Sequence, residues 1–154
     1  MQPNTFILQA IDLARENVKR KHGRPFGAVI VKDGEVIATG VNDILDTHDP
    51  TAHAEMQAIR QASQFLQTPR LTGCEMYASG QPCPMCLSAM HLSGIKAVYF
   101  AYSNEQATAF GLSTSNVYEQ MTLPIEKQSL PIQQIKVTAD AEHPYEMWSA
   151  LKAK

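Results

Sequence analysis

Two short stretches carry residue types and spacings suited to metal-assisted hydrolysis. Residues 53–55 read His53-Ala54-Glu55, and residues 82–86 read Pro82-Cys83-Pro84-Met85-Cys86. Imidazole nitrogen and thiolate sulfur are favoured zinc ligands, and a catalytic zinc has three protein ligands with its fourth position left to water. His53, Cys83 and Cys86 supply that set. Glu55, two residues beyond His53, is close enough to reach a water on the ion without binding the ion itself. Zinc lowers the pKa of a bound water toward ~7, and a carboxylate beside it can accept the proton and pass it to a substrate nitrogen. One zinc per chain, with its water, is the cofactor these residues call for.

Each stretch alone has another reading. A Cys-x-x-Cys pair also serves as a redox dithiol or as half of a structural zinc site. The redox reading lacks an early strand leading directly into Cys-x-x-Cys and a helix. A closed structural site needs a fourth ligand, which Cys74 or His91 would have to supply. Cys74 falls in a predicted strand and reads as a small buried apolar residue. Glu55 has no use in a structural site, so the joint pattern favours catalysis over a non-catalytic zinc module.

The elements around these residues set their positions. Phe6, Ile7, Ala10, Ile11, Ala14 and Val18 fall at helical spacing, which predicts an amphipathic helix over 5–20, capped by Asn4 or Thr5 and broken at Gly23. Residues 27–32 and 35–41 are rich in Val, Ile and Ala and meet across Asp33-Gly34, a strong hairpin signal. A loop over 43–50 and a helix over 52–65 follow. A strand at 74–78 leads into a short helix from about Cys83 to Gly94, so that the helix N-terminus favours the thiolate form of both cysteines. Strands at 96–102 and 132–138 and a closing helix at 144–153 complete the pattern. A hairpin followed by alternating helices and strands implies an α/β layered domain with a mixed sheet.

The 154 residues suit a single domain over 1–154. Hydrophobic residues make up 44% and charged residues 18%, enough apolar material for a core and no signature of disorder. The net charge of -2 lacks the concentrated basic surface of a protein that grips long nucleic acid. The one basic cluster, Lys19 to Arg24, reads as a helix end whose cations offset the helix dipole, with contact to phosphate or RNA as the other reading. No stretch reaches the roughly 20 apolar residues of a membrane span, and the N-terminus has no basic region followed by an apolar signal core. Three cysteines fit metal chemistry better than a disulfide framework. A cytoplasmic enzyme acting on a small molecule, with no membrane or nucleic-acid partner, is the expectation.

With those residues in place, the chain resembles the cytidine deaminase-like superfamily, and within it the short bacterial guanine deaminases. The resemblance rests on Pro25-Phe26-Gly27-Ala28-Val29-Ile30-Val31-Lys32-Asp33-Gly34, on Asp49-Pro50-Thr51-Ala52-His53-Ala54-Glu55, on Pro82 to Leu87, and on the segment around Pro144 and Trp148. It implies a three-layer α-β-α fold with a central mixed five-stranded sheet, and a homodimer. It also implies that Asn42 hydrogen-bonds the base, that the backbone at Ala54 lies against substrate, and that Phe26 belongs to the pocket. In related guanine deaminases the C-terminal segment is exchanged between subunits, which would let residues near Trp148 act in trans. The implied reaction is guanine to xanthine plus ammonia. Cytosine, a nucleoside, an amino-triazine and adenosine in tRNA are alternative substrates for the same chemistry. This sequence departs from the guanine deaminase pattern at four places. Leu112-Ser113-Thr114-Ser115 stand where an acid follows the glycine, and Gln81 replaces the Glu before Pro-Cys. His91-Leu92 replace an aromatic pair, and the chain ends Lys152-Ala153-Lys154 without a terminal aromatic.

Overall fold

The computed structural model describes residues 3–137 and 142–152. They form two compact units, one extending through Thr122 and one beginning at Leu123.

The first unit is built on a four-stranded sheet. Helix α1 (Pro3–Lys21) precedes the hairpin β1 (Gly27–Lys32) and β2 (Glu35–Val41). Its turn places both Asp33 (φ 51°) and Gly34 (φ 77°) in the left-handed region, the backbone that a two-residue hairpin requires. A short α2 (Ile44–Thr47) and then α3 (Ala54–Leu66), β3 (Cys74–Gly80), α4 (Pro84–Ser93) and β4 (Ala97–Tyr102) follow. Helices α5 (Asn104–Thr108) and α6 (Ser115–Met121) end the unit. The strand order is β2-β1-β3-β4, with β1 antiparallel to both neighbours and β3 parallel to β4.

Side-chain alternation along the strands builds two cores, one on each face. Val29, Val31 and Tyr77 pack with Phe6 and Ala10 of α1. Ala28, Ile30 and Met76 pack with Ala54, Ala58, Cys86 and Met90 of α3 and α4. The layers within this unit are therefore α, β and α. Two glycines set how closely the helices approach. A Cβ on Gly27 would lie 2.3 Å from the Ala10 carbonyl oxygen, and one on Gly40 would lie 2.2 Å from that of Ala54. Only a residue without a side chain lets α1 and α3 settle this deeply onto the hairpin.

The second unit contains a 3₁₀ turn (Ile125–Lys127) and α7 (Pro144–Lys152). Two sequence expectations need correction or qualification here. The sheet has four strands among the described residues, not five, because residues 132–137 pair with no strand. Alternating apolar residues make a strand only when an edge accepts their backbone groups, and Ile135 and Val137 remain exposed. Thr138 and Ala153, the ends of the predicted strand and of the predicted closing helix, lie outside the described residues. Sequence reading also took 43–50 for a loop, where the short α2 forms, and passed over α5 and α6.

Candidate metal centre

Two helix N-termini deliver the chemistry to one point. His53 is the N-cap of α3 and Cys83 the N-cap of α4, both in extended backbone, so each side chain projects ahead of its helix. Pro84 at the start of α4 has no amide hydrogen to lose there and its fixed φ suits the first turn. Cys86 sits one turn into α4 and is fully buried. The segment before His53 is held by Asp49, whose Oδ1 accepts from the Thr51 amide at 2.8 Å and the Thr51 hydroxyl at 2.7 Å. Those two bonds keep the Asp49 carboxyl below its ordinary range. Arg60 of α3 donates to the same Thr51 hydroxyl at 3.0 Å.

His53 Nδ1 lies 3.5 Å from Cys83 Sγ and 3.5 Å from Cys86 Sγ. The three ligand atoms all fall within 4.8 Å of one another. A tetrahedral zinc with ordinary Zn–S and Zn–N bonds requires a sulfur–nitrogen separation of about 3.6 Å, so the donor set fits that ion in kind and in spacing. Among the described residues the cluster stops at three. Cys74 is buried in the core of the sheet and His91 is exposed, so neither closes the site with a fourth ligand.

The electrostatics suit the same use. The hydrogen bond from Cys86 holds the Cys83 thiol well below its ordinary range, with His53 assisting. Cys86 is held up by that same bond and by burial. His53 is raised by its bond to Cys83, partly opposed by burial. A divalent cation would draw off both thiol protons. Glu55, in the first turn of α3, is 6% exposed. Burial raises its carboxyl from 4.5 to about 7, where it can both accept and donate a proton near neutrality.

These groups open onto a cavity of about 770 Å³, lined by His53, Glu55, Cys83, Phe26 and Asn42 among others. The Phe26 ring is set against Gly80, where a Cβ would approach it to 3.1 Å. Asn42 is held from behind, its carbonyl accepting from Asn17 Nδ2 at 2.8 Å. Ala54 is fully buried in the core and is not among the cavity's lining residues.

Residues 1–102 match the cytidine and deoxycytidylate deaminase zinc-binding region. The chain belongs to that family. His53, Cys83 and Cys86 are brought together by the fold into a group that could hold a metal ion, and the mixed α/β architecture matches solved members. The guanine deaminase of Bacillus subtilis (strain 168) is 42% identical over 150 residues, 96% of this chain and 94% of that protein. The X-ray structure of Bacillus subtilis guanine deaminase superposes with a TM-score of 0.86 at 40% identity, covering 99% of this chain and 93% of that one. A tRNA-specific adenosine deaminase of Aquifex aeolicus (strain VF5) is 42% identical over 99 residues, 64% of this chain and 65% of that protein. A solved guanine deaminase from Nitrosomonas europaea gives a TM-score of 0.70 at 28% identity, over 73% of this chain and 65% of that one.

Sequence reasoning missed several residues at this family site. Arg24, Ser79 and Asn104 line the cavity, and the Tyr118 hydroxyl donates to the Pro82 carbonyl beside Cys83. The Ser103–Gln106 capping box was a readable signal for α5. Nothing local tells that the helix it starts would face the metal trio.

Proposed function

We propose that this chain is a zinc-dependent hydrolytic deaminase of a purine base, converting guanine and water to xanthine and ammonia. The observation that carries the reading is a three-ligand site with one side open to a cavity and a buried carboxylate at its edge. Similarity to a guanine deaminase along nearly the whole chain supplies the substrate. His53, Cys83 and Cys86 would hold the ion, which supplies a water that loses its proton near neutral pH. Glu55 takes that proton as the water adds to the carbon bearing the amino group. It places that proton on the adjacent ring nitrogen, then takes the remaining proton of the added hydroxyl and passes it to the departing amine, so that ammonia leaves and a carbonyl remains. Phe26 and the Asn42 amide orient the base.

We read residues 1–154 as one deaminase domain working as a cytoplasmic homodimer. Free cysteines suit a reducing compartment. Support for exchange of C-terminal segments comes from β4, an edge strand with Tyr99, Phe100 and Tyr102 exposed, and from residues 132–137, which have no strand partner. Residues near Trp148 would then serve the partner's site. A second reading, adenosine in a tRNA anticodon, draws on Arg15, Lys19 and Arg24 along the cavity.

Ammonia release from guanine, cytosine, adenine, their nucleosides, an amino-triazine and a tRNA anticodon hairpin tests the assignment. Guanine is expected to be turned over fastest. Selective turnover of the hairpin, with guanine inert, would replace the first reading by the second.

A further inference from the structure

The cavity carries amide groups that the hydrolytic chemistry does not need. Asn104 opens α5 directly after Ser103, whose hydroxyl accepts from the Gln106 amide at 3.2 Å while Gln106 Oε1 accepts from the Ser103 amide at 2.8 Å. That reciprocal cap fixes the start of the helix. The Asn104 backbone amide donates to Gln81 Oε1 at 2.9 Å, two residues before Cys83. The Thr114 hydroxyl donates to Asn104 Oδ1 at 3.4 Å. Asn104 Nδ2 has no hydrogen-bond partner among the described residues, and the residue lines the same cavity as Glu55. Asn42 repeats the arrangement: its Oδ1 accepts from the Ile44 amide at 3.3 Å, which leaves its Nδ2 as a second donor. Glu55 is the only carboxylate among the residues lining the cavity. Asn104 Nδ2 and Asn42 Nδ2 thus offer two donors to a base in this cavity.

A 6-oxo purine such as guanine presents acceptors at O6 and N7, whereas a 6-amino purine presents a donor in place of O6. A donor facing a donor leaves both unpaired once the base covers them, which costs more than the lost bond. We propose that Asn104 is a specificity-determining residue whose side-chain amide donates to the base, so that the site takes 6-oxo purines and rejects their 6-amino counterparts. The inference deepens the guanine reading and rests on it.

Asn104→Asp is nearly isosteric. Its carboxylate can still accept from Thr114 while replacing the donor with an acceptor. The experiment compares kcat/KM for guanine and for 2,6-diaminopurine, which keeps the 2-amino group and exchanges O6 for an amine. Isoguanine as product identifies attack at C2. The preference for guanine is expected to fall at least roughly tenfold in zinc-loaded N104D. A ratio unchanged within about twofold, in a variant that still turns over guanine, overturns the proposal. A binding arm does not depend on turnover: hypoxanthine and adenine are titrated into E55Q and into E55Q/N104D. E55Q is expected to favour hypoxanthine about tenfold and the double variant to lose that preference. Equal binding of the two bases by E55Q also overturns the proposal. Should wild type leave guanine untouched while E55Q prefers hypoxanthine and E55Q/N104D does not, the guanine reading fails and the role of Asn104 stands. Asn104→Ser, which removes the amide, replaces the Asp variant in both arms if that protein does not accumulate.

Discussion

His53 Nδ1 stands 3.5 Å from Cys83 Sγ although the two residues are thirty apart in sequence. That spacing is set by two helix starts pointing at one another, and it is the separation that two ligands on a tetrahedral zinc require.

Removing one ligand tests that relationship directly. Cys86→Ser is expected to reduce bound zinc from about one per chain to under roughly a tenth, as read by elemental analysis of purified protein. Chelated wild type should keep its circular dichroism, because the two cores of the sheet are built mainly of apolar side chains that are not ligands, and should recover activity when zinc is restored. Unfolding on chelation would make the site structural.

Glu55→Gln isolates the proton carrier. The variant should retain zinc and lose roughly a thousandfold or more in kcat, within the range of general acid–base contributions. Full turnover with zinc still bound would remove Glu55 from the mechanism.

The same substitution has an opposite effect on the stability of metal-free protein. Glu55 is raised from 4.5 to about 7 by burial, so the folded state binds its proton more tightly than the unfolded chain does. Its contribution to stability is full below about pH 4.5 and is lost as pH rises through about 7, a swing of about 3 kcal/mol. Urea unfolding of chelated protein should therefore find E55Q gaining on wild type by about 3 kcal/mol between pH 4.5 and pH 8. Parallel pH profiles for the two proteins would refute this.

Gly40→Ala tests the seat of α3. The added Cβ would lie 2.2 Å from the Ala54 carbonyl oxygen and 2.7 Å from the Ala58 amide nitrogen, both backbone atoms. The substitution is expected to cost about 3 kcal/mol in denaturant unfolding and to weaken zinc binding, since the displaced helix start carries His53 and Glu55. Gly34→Ala introduces no close contact and strains only the turn, at φ 77°. It should leave zinc affinity unchanged.

Much of the site was legible because its chemistry is written in local spacing. His53-Ala54-Glu55 and Cys83-Pro84-Met85-Cys86 each fit within one helical turn, and helix starts, hairpin turn and strand alternation are short-range properties of the chain. The sequence by itself therefore pointed to the candidate ligand set and the proposed proton carrier, and determined the α/β order. It misjudged residues 132–137, because an alternating pattern states the capacity to pair but not whether the segment pairs with an edge. Tertiary structure alone decided the convergence of the two helix starts and the burial that lifts Glu55 to about 7. It also set Asn42 and Asn104 along the walls of one cavity. Each of these depends on groups distant in sequence, whose separation is set by packing across the sheet.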